Sequence, residues 1–80
     1  MTFSVYIIRS ELDNTLYIGH TSDIQERLQR HNQGRFQYTK SKRPWILVYK
    51  EEFPSRARAM RKEVTLKFLH RKDLLLKIIE

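Results

Sequence analysis

Apolar and polar positions alternate, cluster and recur along this chain in a way that divides it into six elements. Residues 3 to 9 (FSVYIIR) gather β-branched and aromatic side chains over the length of one strand. Residues 10 to 15 (SELDNT) are polar, and Asp13-Asn14 tolerates positive φ, so a hairpin turn is expected there. Residues 16 to 20 (LYIGH) predict a second strand, antiparallel to the first. With a two-residue turn centred on Asp13-Asn14, Tyr6 and Tyr17 would project from one sheet face. The period then changes from two to 3.6. Ile24, Leu28 and His31 recur at helical spacing, so residues 22 to 33 predict a helix with one inward stripe. Ser22 with Gln25 fits a capping box, and Gly34 fits the position just past the helix end. Asp23–Arg27 and Glu26–Arg30 are helical pairs of favourable orientation.

The second half is read in the same way. Residues 35 to 44 (RFQYTKSKRP) form a basic loop ending at Pro44, and residues 45 to 51 (WILVYKE) open on the unbroken apolar run expected of a strand covered on both faces. Pro54-Ser55 opens a second helix over about 55 to 69, with Ala57, Met60, Val64 and Phe68 as its expected buried stripe. Residues 71 to 79 (RKDLLLKII) predict a third, shorter helix that closes the core. The order is β-β-α-β-α-α in an α+β domain spanning residues 1–80.

Composition narrows what such a domain does. At 80 residues there is room for one thin core, burying roughly 60% of the unfolded surface. The chain has no cysteine, which excludes disulfides and thiolate zinc sites and suits a cytoplasmic setting. Sixteen Lys and Arg against nine Asp and Glu give a net charge of +7. So strong a field on so small a body fits nucleic acid first; an anionic membrane surface or simple solubility are the other readings. No segment approaches the roughly 18 apolar residues of a membrane span. Met1 to Arg9 lacks the basic region of a signal peptide. The helices spend their apolar faces on the core, so no membrane partner is expected.

Two strand motifs stand out, Val5-Tyr6-Ile7 and Tyr17-Ile18-Gly19. At hairpin spacing, followed by Arg27, then His31 one turn on, then Glu63 in the second helix, they resemble the elements and the residue order of the GIY-YIG nucleases. Tyr38-Thr39, Arg43-Pro44 and Leu47-Val48-Tyr49 look like the small stand-alone members of that family. Val5 stands in place of the first Gly, and His20 where many members carry Lys. The resemblance covers nearly the whole chain. It implies a three-stranded antiparallel sheet flanked by three helices, with an active site on one sheet face and metal-dependent phosphodiester hydrolysis.

The resemblance makes Tyr17 a general base. A free phenol titrates near ~10, so a neighbouring cation must favour the charged form, and Arg27, His20 or a metal could supply it. Tyr6 would hydrogen-bond the water or a phosphate oxygen. The ordinary role of both tyrosines would be half-buried strand aromatics. Arg27, at the edge of the apolar stripe, would steady charge on the phosphoryl oxygens with its planar fork; its ordinary role is a surface pair with Asp23. His31 would position water or phosphate, or else sit as a satisfied core histidine. His20 could bind phosphate or assist the base. The histidines at 20, 31 and 70 have no metal-site spacing among themselves.

By the same resemblance Glu63 is the one protein ligand of a divalent cation, Mg²⁺ or Mn²⁺, completed by water and substrate phosphate. Its ordinary role is a helical pair with Lys67. Arg35, Lys40, Lys42 and Arg43 on the loop, with Arg56 and Arg61 and their neighbours on the second helix, would track a nucleic-acid backbone. DNA is the expected partner, with RNA within reach of the same chemistry. So small a domain invites a partner protein to place the substrate. Two functions follow from these residues. One is an endonuclease or structure-directed nuclease of low sequence specificity. The other is a non-catalytic or partner-dependent nucleic-acid-binding module on the same fold.

Overall fold

In a computed structural model, which describes residues 1–69 and 72–79, the apolar run Val5–Ile8 forms the middle of a three-stranded antiparallel sheet. Strand β1 (Phe3–Ser10) lies between β2 (Leu16–Thr21) and β3 (Trp45–Phe53). Helices α1 (Ile24–Asn32) and α2 (Gln37–Lys40) precede β3; α3 (Arg56–Leu69) and α4 (Lys72–Ile79) follow it. His70, Arg71 and Glu80 lie outside the described residues, and with them the start of the predicted third helix.

Because β1 is central, all four residues of its apolar run are buried. Alternation sends them into two half-cores. Val5 and Ile7 pack with Ile18, Ala59, Leu66 and Leu75 beneath α3 and α4. Tyr6 and Ile8 pack with Trp45, Tyr17, Ile24 and Leu28 beneath α1. Each fully buried aliphatic contributes about 1.5–3 kcal/mol.

The hairpin is wider than a two-residue turn. Ser10 N–H donates to Thr15 O at 2.8 Å, and the loop Glu11–Asn14 places Asn14 at φ 64°. Ser10 Oγ accepts from Leu12 N–H at 3.0 Å, which satisfies a donor inside the loop. The register slips by two relative to the tighter turn, pairing Tyr6 with Gly19 and Ile8 with Tyr17. A slip of two preserves side-chain parity, so Tyr6 and Tyr17 do share a face.

Strand β3 departs from expectation. It is an edge strand, with Leu47 38% exposed, and not a strand covered on both faces. Leu47 pairs with Ile8 and Tyr49 with Ile7, leaving Val48 as an extra residue in a bulge. The bulge lets Val48 and Tyr49 both join the α3-side core, which explains an unbroken apolar run on an edge.

Helix α1 is capped by Asp23, not Ser22: the Asp23 carboxylate accepts from Glu26 N–H at 3.1 Å, and Thr21 Oγ1 accepts from Asp23 N–H. Asp23 is thus engaged as a cap, while Glu26 pairs with Arg30 at 3.0 Å. At the other end Gly34 takes φ 78°, with Gly34 N–H bonded to His31 O and Arg35 N–H to Arg30 O. That is a Schellman ending, as the glycine predicts. The expected loop 35–44 contains the one-turn α2, too short to show a helical period.

The stripe predicted for α3 is on the wrong face. Met60, Val64 and Phe68 are 47%, 65% and 83% exposed, whereas Ala59 and Leu66 are buried. The inward face also carries Lys62 and Glu63, whose heads reach Glu51 and His20 at the core's rim. Apolarity alone favours the outer face because the inner one includes charges that have partners there.

Candidate active site

Tyr6 crosses the sheet surface above its cross-strand partner Gly19. A Cβ on Gly19 would lie 2.6 Å from the Tyr6 hydroxyl and 2.8 Å from its ring carbon Cζ. Only glycine therefore lets the phenol lie flat on β2 and point toward α1. There the Tyr6 hydroxyl meets His31 Nε2 at 3.0 Å, and His31 Nδ1 meets Thr39 Oγ1 at 2.8 Å. All three side chains are essentially inaccessible to water. Burial, then the neighbouring Tyr17, push the Tyr6 hydroxyl well above the usual phenol range, against the opposing pull of Arg27. Burial, then the Arg27 charge, lower His31 to about 4. Tyr6 is thus a phenol and His31 a neutral imidazole at pH 7. A neutral imidazole carries one ring proton, so His31 accepts from one of Tyr6 and Thr39 and donates to the other.

Thr39 is held in turn. Its carbonyl accepts from Trp45 Nε1–H at 2.9 Å, and the Asn32 side chain clamps the Trp45 backbone, accepting from N–H at 2.6 Å and donating to C=O at 3.0 Å. The end of α1, the turn α2 and the start of β3 are locked together around His31.

Tyr17 shares this face. Its ring lies 6.4 Å from Tyr6 and 5.0 Å, edge-on, from His31. Arg27, one turn before His31, sits over the Phe36 ring at 5.5 Å. Its Nε is buried and has no hydrogen-bond partner among the described residues. An unpaired buried guanidinium donor is costly, and an anion would relieve it.

His20 and Glu63 form a second cluster. His20 alternates with Gly19 along β2 and so projects toward α3, where its Nδ1 contacts Glu63 Oε1. The other Glu63 oxygen accepts from Lys67 Nζ at 2.6 Å. Burial raises the Glu63 carboxyl, but the hydrogen bonds from Lys67 and His20 outweigh it, and the net shift is downward. Arg56 stacks on Phe3 at 4.7 Å and brings Nη1 to 3.4 Å from His20 Nε2. Of the influences on the Tyr6 hydroxyl, the Glu63 charge is the smallest.

The structure thus brings Tyr6, Tyr17, Arg27 and His31 together and sets His20 with Glu63 beside them, away from Tyr17. Glu63 carries the predicted helical pair with Lys67 and a tie to His20 at once. Glu63, 15% exposed and held as an anion, is a hard oxygen donor of the kind a divalent cation takes, but both its oxygens are engaged here, and no group of three or more His, Cys, Asp or Glu that could hold a metal ion occurs among the described residues.

The basic residues divide. Lys42 is tied to the hairpin, donating to Asp13 Oδ2 at 2.6 Å and Thr15 Oγ1 at 3.2 Å. Arg43 donates to Lys40 O at 2.8 Å and lies against Gly34. Arg35, Lys40 and Arg61 are exposed, and Arg56 belongs with His20. Thr39, Phe36 and Arg56's contact with His20 escape a reading by type, because their partners are set by the fold. A cavity of about 760 Å³ opens on the outer edge of β2, walled by Thr15–Ile18, Tyr38, Lys67 and Leu75.

Known proteins resemble this chain over nearly its whole length. The GIY-YIG catalytic domain profile matches residues 2–75. A UPF0213 protein of Staphylococcus haemolyticus is 44% identical over 77 residues, covering 95% of this chain and 92% of the relative. A UPF0213 protein of Staphylococcus saprophyticus is 38% identical, covering 95% and 93%. The solution NMR structure of the UPF0213 protein from Bacillus halodurans superposes with a TM-score of 0.60 at 36% identity, covering 98% of this chain and 85% of that one. Counting back from Tyr6 as the first motif's tyrosine puts Ser4, small and 6% exposed, at the glycine position, with Val5 in the aliphatic one.

Proposed function

The chain belongs to the GIY-YIG family, and we propose that it hydrolyses phosphodiester bonds in DNA with the help of a divalent cation. The observation that carries this reading is the convergence of Tyr6, Tyr17, Arg27 and His31 from three elements onto one face, within electrostatic reach of Glu63. In this reading Arg27, with a buried unpaired donor, receives a phosphoryl oxygen. Tyr17, acting as phenolate, takes a proton from the attacking water as the water's oxygen bonds to phosphorus; the bond to the leaving sugar oxygen breaks, and that oxygen takes up a proton from solvent. Tyr6 remains a phenol whose hydroxyl, buried against neutral His31, supports Tyr17 and Arg27 from beneath and does not itself meet the water. Glu63 would hold one Mg²⁺ or Mn²⁺, which supplies charge at the phosphate when bound with substrate. No helix of the described residues is long and apolar enough to cross a membrane, and a cytoplasmic enzyme acting on DNA, placed by a partner protein, is the fuller form of the proposal.

A second reading has one observation in its favour. Both Glu63 oxygens are already engaged, by Lys67 and by His20, as in a protein that binds nucleic acid without cutting it. Plasmid nicking separates the two. Wild type should nick supercoiled DNA with Mg²⁺ and stop in EDTA, and Glu63→Gln, purified identically, should be inactive. Equal activity in both proteins, or none in either, would sink the nuclease reading and leave the binding module.

A further inference from the structure

The cavity on the outer edge of β2 is not used by any step above, yet Tyr17 forms part of its wall. Its volume of about 760 Å³ falls within the range of small-molecule sites. One wall is the outer edge of β2, whose only sheet partner among the described residues is β1; Thr15 bonds back to Ser10, so by alternation the N–H and C=O of Leu16 and Ile18 turn away from β1 toward the opening. The opposite rim is Tyr38, 73% exposed, with its ring 5.7 Å from that of Tyr17 at a tilt of 45°. Tyr38 ends a run of aromatic contacts leading out of the core, from Phe36 to His31 to Tyr17. Exposed arginine and lysine, Arg35 and Lys40, flank it on the same segment.

We infer that this cavity receives an unpaired nucleobase stacked on Tyr38, so that the substrate is single-stranded beside the bond to be cut. Three features point to a base. A solvent-facing aromatic ring offers a platform that any base can use, and stacking of this kind is tolerant of sequence. The free strand edge offers donors and acceptors at a fixed spacing to a base's polar rim. The surrounding positive charge suits the phosphates on either side of it. A base inside a duplex is stacked on both faces and cannot present one to Tyr38 without being extruded, which costs least in a single strand. The shared wall at Tyr17 places such a base next to the candidate chemistry. The location beside the cut rests on the phosphodiesterase reading, whereas the base site itself does not.

Binding without divalent cation keeps the two apart. Fluorescence anisotropy in EDTA compares a labelled single-stranded DNA with the same strand annealed into a blunt duplex, for wild type, Tyr38→Ala and Tyr38→Phe. Wild type should prefer the single strand. Tyr38→Ala should weaken single-strand binding roughly tenfold while leaving the duplex unchanged, and Tyr38→Phe should restore it. Equal affinity for both forms, an equal loss on both in Tyr38→Ala, or no loss at all would overturn the inference. A protein that shows the expected pattern but nicks nothing would retain the base site and lose the nuclease function.

Discussion

His31 combines burial, neutrality and two hydrogen bonds, and this makes its protonation a matter of folding as well as chemistry. Its folded pKa is lowered to about 4 from 6.5, by burial and by Arg27. Below pH 6.5 the unfolded chain takes up a proton that the folded chain refuses, so stability falls as pH drops from 6.5 toward 4. The limiting slope is about 1.4 kcal/mol per pH unit, approached only where the unfolded chain is protonated and the folded one is not. Glu63 acts in a different window. Its folded pKa is depressed, so its contribution is present above 4.5 and is lost only as pH falls below that. Urea unfolding at pH 7 and pH 5 should therefore show wild type losing on the order of 1–2 kcal/mol, and His31→Gln losing clearly less. An identical pH slope in the two proteins would mean that His31 is protonated in the folded state, contrary to its place between Tyr6 and Thr39.

At the scale of elements, α3 separates apolar character from burial. Leu66 is 1% exposed in the α3-side half-core, and Leu66→Ala should cost about 2–5 kcal/mol in urea unfolding. Val64, 65% exposed one half-turn away, should change stability by less than about 0.5 kcal/mol when replaced by Ala. Comparable losses from both would place the helix in the rotation that its apolar pattern first suggests. This helix also marks where the sequence is legible. The strands, the hairpin parity of Tyr6 and Tyr17 and the Gly34 ending follow from local chemistry, and they hold. The face of α3 does not follow, because Lys62 and Glu63 turn inward to partners on β3 and β2 that only the assembled sheet supplies. The edge position of β3 is hidden for a similar reason: a bulge at Val48 makes an edge strand look like a central one. Within the candidate site, Tyr17, Arg27, His31 and Glu63 are legible as an ordered set. The Thr39 support is not, since α2 is a single turn and its link to His31 depends on Trp45 and Asn32.

For the whole molecule, the sixteen Lys and Arg, more than the net charge of +7, overstate what is open to a polyanion. Lys42 is paired with Asp13, Lys67 with Glu63, Arg30 with Glu26 and Lys62 with Glu51. Binding to DNA should weaken with added salt, with a slope set by the phosphates actually neutralised. Exposed Arg35 and hairpin-bound Lys42 then behave differently. Arg35→Gln should reduce the magnitude of the log–log salt slope by about 1 if it contacts one phosphate. Lys42→Gln should leave the slope nearly unchanged, because that ammonium already has the Asp13 carboxylate, which is held well below the usual carboxylate range by its hydrogen bonds from Lys42 and Thr15. Its cost should fall on the tie between the hairpin and the segment before β3, where Ser10 Oγ also donates to Lys42 O at 2.7 Å. An anisotropy series over ionic strength with both variants decides it. A slope that falls equally in the two would mean that Lys42 leaves Asp13 for the DNA backbone, and that the hairpin opens when the protein binds.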